Sequence, residues 1–109
     1  MRIFKKLIRD KMPEIMAAKG THVKTRVLED DAEFITALEN KLLEEVQELR
    51  NRENPALEQI AYMEEILDAL KKTYNLIPEE VAAERKRKME ERGGFEKRLF
   101  LEEVIKDSV

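Results

Sequence analysis

The chain has 109 residues, 41% charged and 42% hydrophobic, with 24 acidic against 21 basic side chains, a net charge of −3 and no cysteine. That length supports one small domain. The near-balance of charge excludes a general attraction to nucleic acid or an anionic membrane, and the missing cysteine excludes disulfides, thiolate catalysis and zinc–thiolate centres.

No run approaches the roughly 20 apolar residues of a bilayer span. Arg2, Lys5 and Lys6 are not followed by the apolar stretch of a signal peptide, so a cytoplasmic protein is expected. Three glycines and three prolines in a chain rich in Leu, Ile, Glu and Lys favour helices.

Residues Ile3 to Arg9 mix apolar and basic side chains. Pro13 suits the first turn of a helix running to about Lys19, which Gly20 ends. Thr21 to Leu28 alternates and is β-branched, the pattern of an extended connector or a short strand without an evident partner. Asp30 or Asp31 can cap the next helix. Its apolar residues Ile35, Leu38, Leu42, Val46 and Leu49 recur at three- and four-residue steps and fall within about 80° of one another. This helix ends near Asn51–Asn54, before Pro55.

A third helix is expected from about Pro55 to Tyr74, with Ile60, Met63, Leu67 and Leu70 as its apolar stripe and Asn75 as its C-terminal stop. Pro78 begins a fourth, with Glu79 and Glu80 in its first turn, where the helix dipole favours acid. It continues through the basic run Arg85–Lys88 to Gly93-Gly94. Residues 95–109 then form a C-terminal arm within the single domain 1–109. Two long amphipathic helices on a short connection make an antiparallel hairpin. Each buries only one side in that hairpin, so an all-α antiparallel helical bundle completed by oligomerisation is the expected fold.

The acidic residues fall at telling positions. With Leu42 at zero, Val46 lies at about +40° and Leu49 at about −20°, while Glu45 sits near −60° and Glu48 near −120°. Glu45 and Glu48 thus flank the seam toward the third helix, and Glu44 points away from it. Carboxylates at a core edge are costly unless a cation neutralises them. The third helix offers Glu65 and Asp68, also three apart. Two such pairs suit a hard cation such as Mg²⁺, with Mn²⁺ the alternative. The competing explanation is an ordinary solvated helix face, with the glutamates paired to neighbours such as Lys41. Glu65 and Asp68 lie well away from their helix's apolar stripe.

Three segments carry a resemblance: K-L-I-R-D-K-M-P-E-I (Lys6 to Ile15), L-L-E-E-V-Q-E-L (Leu42 to Leu49) with I-L-D-A-L (Ile66 to Leu70), and E-E-R-G-G-F-E-K-R-L-F-L-E (Glu90 to Glu102). Together they make the chain resemble the all-α nucleoside triphosphate pyrophosphohydrolases, the MazG-like and phosphoribosyl-ATP pyrophosphohydrolase-like group. The resemblance implies a helical bundle, a homodimer or homotetramer, and Mg²⁺-dependent cleavage of a nucleotide to its monophosphate and pyrophosphate. It maps the group's first Glu-x-x-Glu half-site onto Glu45 and Glu48, with Glu44 preceding them. The second half-site, Glu-x-x-Asp, falls on Gln59 and Tyr62, neither of which is a carboxylate. Glu65-x-x-Asp68 supplies the same spacing further along.

The expected metal ligands are therefore Glu45, Glu48, Glu65 and Asp68. Glu44 or Glu65 would orient or deprotonate water. Arg9, Lys11, Lys86, Arg92, Lys97 and Arg98 would meet the phosphates, where arginine suits bidentate contact. The degenerate half-site leaves a second outcome open: a catalytically impaired homologue that binds a nucleotide or a protein. A purely structural helical oligomer is the third.

Overall fold

A computed structural model describes residues 4–106; Arg2 and Ile3 of the opening segment lie outside the described residues. These residues form four helices and no strand: α1 (Met12–Ala18), α2 (Asp31–Arg50), α3 (Ala56–Thr73) and α4 (Pro78–Arg92). The chain divides into two compact units, Met1–Leu76 and Ile77–Val109.

Local chemistry explains each helix boundary. Pro13 stands in the first turn of α1, where its missing N–H costs nothing. Gly20 follows with φ of 85°, and the Gly20 and Thr21 amides donate to the Ala17 and Met16 carbonyls. That reverse turn requires a left-handed residue, the natural role of glycine. Residues 21–28 form neither helix nor strand, so the alternation there makes a connector. Asp30 caps α2 by accepting from the Glu33 amide at 3.3 Å. Asn75 adopts φ of 58°, and the Asn75 and Leu76 amides donate to the Lys72 and Lys71 carbonyls, closing α3 as Gly20 closes α1.

In the first unit, α2 and α3 pack against each other as an antiparallel hairpin. The five residues between them are tied down. The Asn51 side chain accepts from the Glu53 amide at 3.1 Å, and Asn54 Nδ2 donates to the Glu48 carbonyl at 3.0 Å and to Glu48 Oε2 at 2.9 Å. Leu38 and Ile66 are the buried apolar side chains among the described residues.

The inward face of α3 differs from the expected stripe. Ile66 is buried with Met63, Ala69 and Leu70 beside it, whereas Ile60 and Leu67 remain 47% and 43% exposed. The helix carries two overlapping apolar stripes, and the hairpin selects the one that includes Gln59, Tyr62 and Ile66. On α2 the expected stripe holds except at its edge, where Val46 is exposed and Lys41 and Glu45 enter the seam instead.

In the second unit, α4 ends at Gly93, whose φ of 83° and ψ of −178° are open to glycine alone. Arg87 pairs with Glu84 and Glu91 along its surface. Residues 99–106 adopt no helix or strand.

Candidate functional site

The structure separates the two glutamates that the sequence places side by side. Glu45 is 5% exposed and lies in the α2–α3 seam; Glu48, one turn on, is exposed and bonded to Asn54. Burial pushes the Glu45 carboxyl above its usual range, with Glu44 and Glu48 adding repulsion and Lys41 opposing both. Lys41 is itself 9% exposed, and its ammonium stands 3.5 Å from Glu44 and 3.9 Å from Glu45.

Glu44 does not point into open solvent. Lys6 Nζ donates to its carboxylate at 3.1 Å, so the N-terminal segment folds back over this part of α2. Partial burial raises the Glu44 pKa, but the bond from Lys6 and the charges of Lys41 and Lys6 outweigh it and the net shift is downward. Adjacent carboxylates are thus driven in opposite directions, Glu44 toward the ionised form and Glu45 toward the protonated one.

Gln59 and Tyr62 face this cluster from α3. Lys41 Nζ sits 5.5 Å from the Tyr62 ring centroid, which fixes the register of the hairpin. Because the helices are antiparallel, one turn forward on α2, to Glu45, is one turn back on α3, to Gln59. Gln59 Oε1 is buried and has no hydrogen-bond donor, an arrangement native interiors seldom leave unanswered. Arg9 completes the surroundings, with its guanidinium 4.8 Å from the Tyr62 centroid and a hydrogen bond to Glu65. The cations over Tyr62 are attracted by the ring's quadrupole.

The remaining expected residues are dispersed. Glu65 and Asp68 have side chains 58% and 66% exposed, paired with Arg9 and Lys71 respectively. Among the described residues no three His, Cys, Asp or Glu side chains gather as a metal-binding group. Lys11 is exposed beside α1. Lys86, Arg92, Lys97 and Arg98 belong to the second unit; there Arg92 approaches Glu91 at 3.8 Å, and Arg98 turns back, with φ of 56° and its amide donating to the Phe95 carbonyl.

The structure also places residues not expected at the site beside Arg9, which was expected there: Lys6, Ile8, Met12, Lys41 and Tyr62 line with it one open cavity of about 240 Å³. Lys41 was legible, since it precedes Glu45 by one turn on the same side of α2. Lys6 was not, because no local rule tells where an irregular N-terminal segment docks.

The donor set can be compared with magnesium's needs. Magnesium takes oxygen ligands, using one or two carboxylates with water and substrate phosphate oxygens for the rest. Glu45, Glu48 and the donorless Gln59 Oε1 are oxygen donors of that kind on facing parts of the hairpin; Glu65 and Asp68 do not join them. Comparison of the chain with known protein families, with curated proteins and with solved structures returns no match. No helix is long and apolar enough to cross a membrane among the described residues.

Proposed function

We propose that this chain is a Mg²⁺-dependent nucleotide pyrophosphohydrolase, cleaving a nucleoside triphosphate or related nucleotide to the monophosphate and pyrophosphate. The observation that carries the reading is the seam between α2 and α3. Glu45 is buried there, where an ionised carboxylate is costly, and Gln59 Oε1 lacks any donor. A divalent cation would give Gln59 Oε1 a partner and would supplement Lys41, which stands 3.9 Å from Glu45. Glu45, Glu48 and Gln59 would hold Mg²⁺, which when bound offsets phosphate charge.

Glu44, kept ionised by Lys6 and Lys41, accepts a hydrogen bond from the attacking water and orients it. Arg9 and Lys6 hold phosphate oxygens. A second copy of the chain, covering the outward stripe of α3, completes the bundle and the nucleotide cleft; the cavity of about 240 Å³ is smaller than a whole nucleotide site of roughly 300–1,000 Å³. The test is pyrophosphate release from a panel of nucleoside triphosphates with Mg²⁺. Glu45→Ala and Glu48→Ala should each reduce it by about a hundredfold or more. Release that is absent, or equal in wild type and variants, rejects the reading.

One observation favours a second reading, nucleotide binding without turnover. Lys41 already neutralises Glu44 and Glu45, and Tyr62, a poor magnesium ligand near neutral pH, stands where a carboxylate would be needed. Calorimetric nucleotide binding without pyrophosphate release supports this reading. The double variant Gln59→Glu with Tyr62→Asp should then create activity.

A further inference from the structure

We propose that residues 21–28 of one copy of this chain pair with residues 99–106 of a second copy as antiparallel strands. The exchange is reciprocal, so two such ribbons join a dimer. The pairing involves neither nucleotide nor metal and goes beyond hydrolysis.

Both segments form neither helix nor strand, yet their side chains are those of strands. In an extended chain Thr21, Val23, Thr25 and Val27 share one face, all β-branched, and His22, Lys24 and Arg26 share the other. The C-terminal segment reads L-F-L-E-E-V-I-K, with no proline or glycine to break a strand. Its Leu99, Phe100, Leu101, Val104 and Ile105 are each at least 78% exposed, and Val27 of the connector is 81% exposed. Leaving that apolar surface wet forfeits the free energy of burying it. Backbone groups of such segments are a template for strand addition, with main-chain hydrogen bonds giving affinity and alternate side chains giving specificity.

Charge and shape select one register. With Thr25 opposite Glu103, Val27 faces Leu101 and Val23 faces Ile105 on one side of the ribbon. On the other side Leu28 faces Phe100 and Arg26 faces Glu102. Residues 21–28 carry cations and no acid, whereas the middle of residues 99–106 carries Glu102 and Glu103. Arg26 already pairs with Glu33, but those side chains are 70% and 45% exposed, and an ion pair in that setting exchanges readily. A slip of one residue would set each strand's apolar positions on the wrong face.

A second copy is the occupant because each chain carries one segment of each kind. Two copies related by a two-fold axis satisfy all four segments and leave none to recruit a third copy. A two-stranded ribbon is marginal by itself, and the dimer doubles it.

The chain has no cysteine, so engineered disulfides report the pairing without interference. Opposed residues of an antiparallel pair have Cα atoms about 4.5–5.5 Å apart, within disulfide reach. Full-length Thr25→Cys, activated as a mixed disulfide, should cross-link to full-length Glu103→Cys when the two are mixed in chelator. Lys24→Cys, one position out of register, should react about tenfold more slowly. In sedimentation, Arg26→Glu and Glu102→Arg should each weaken dimerisation by about tenfold, and the double variant should restore it.

No cross-link between the mixed variants overturns the proposal. So does a chain carrying both cysteines that closes only on itself, which would place the ribbon within one copy. Equal reaction of Lys24→Cys and Thr25→Cys overturns the register, and dimerisation indifferent to both charge reversals overturns the pairing. None of these readouts involves nucleotide turnover, so a failure to hydrolyse nucleotides leaves them distinct.

Discussion

Glu44 and Glu45 are neighbours in the chain, yet their carboxyl groups are pushed opposite ways, and the difference has a measurable sign. Glu45 is raised by burial, so the folded state holds its proton more tightly than the unfolded chain does. Its contribution to stability is full below the usual carboxylate range and is lost as pH rises through its elevated folded value. Glu45→Gln removes that loss while Lys41 keeps Glu44 as a partner at 3.5 Å. In metal-free buffer the variant should therefore melt higher than wild type at neutral pH, with the gap closing in acid; a variant that melts lower at neutral pH contradicts the assignment. Glu44, lowered by Lys6 and Lys41, acts in the reverse sense, its stabilisation disappearing as pH falls below the usual range. The wheel positions made Glu45 and Glu48 candidates, but they assigned both to the same edge. The burial of one and the exposure of the other depend on how α3 is rotated and on Asn54 reaching Glu48.

Helix boundaries are the part of this molecule best read from sequence, because each is decided within a few residues. Asp30 is the strongest case: its side chain satisfies an amide that the helix leaves without an acceptor. Asp30→Ala should lower stability by about 1 kcal/mol in urea denaturation, and Asp30→Ser should recover most of it. A loss unchanged by serine would show that the cap is not the cause. The stripe on α3 was less legible. Met63 and Leu70 continue into an apolar row with Ile60 and Leu67 on one side and with Ile66 and Ala69 on the other, and periodicity cannot choose between two overlapping rows of similar character. The chosen row carries Gln59 and Tyr62, polar or amphipathic residues that a hydrophobicity pattern ranks below Ile60 and Leu67. Lys41 and Glu45 enter the seam opposite them for the same reason: they pair with each other, and Lys41 also lies over the Tyr62 ring, a tertiary compensation invisible on a wheel.

At the scale of the molecule, the burial of Leu38 and Ile66 contrasts with the exposure of Ile60, Leu67 and Leu43 on the hairpin. A hairpin core of this size leaves a small domain short of buried apolar area, and contiguous exposed apolar surface marks an interaction face. Self-association through the outer stripe of α3 is the expected outcome. It should appear in sedimentation as a dimer or larger species and in melting temperatures that rise with protein concentration. Ile60→Asp with Leu67→Asp should shift the protein to monomer and lower its melting temperature; an unchanged species would place the interface elsewhere. The same measurement bears on the proposed nucleotide site, which a second copy would complete.

The sequence by itself determined the all-helical class, the four helices and their stops, and the exclusion of thiol chemistry, because capping, proline, left-handed turns and composition act locally. It also singled out Glu45, Glu48 and Arg9. Only the tertiary structure decided that Glu45 is buried while Glu48 caps a turn, that Gln59 Oε1 is left without a donor, and that Lys6, Arg9 and Lys41 surround one cavity with Tyr62. Those outcomes rest on contacts such as Lys6 with Glu44 and Arg9 with Glu65, separated by 38 and 56 residues. At such separations the choice of partner is a competition among faces of similar local merit, resolved by packing rather than by pattern.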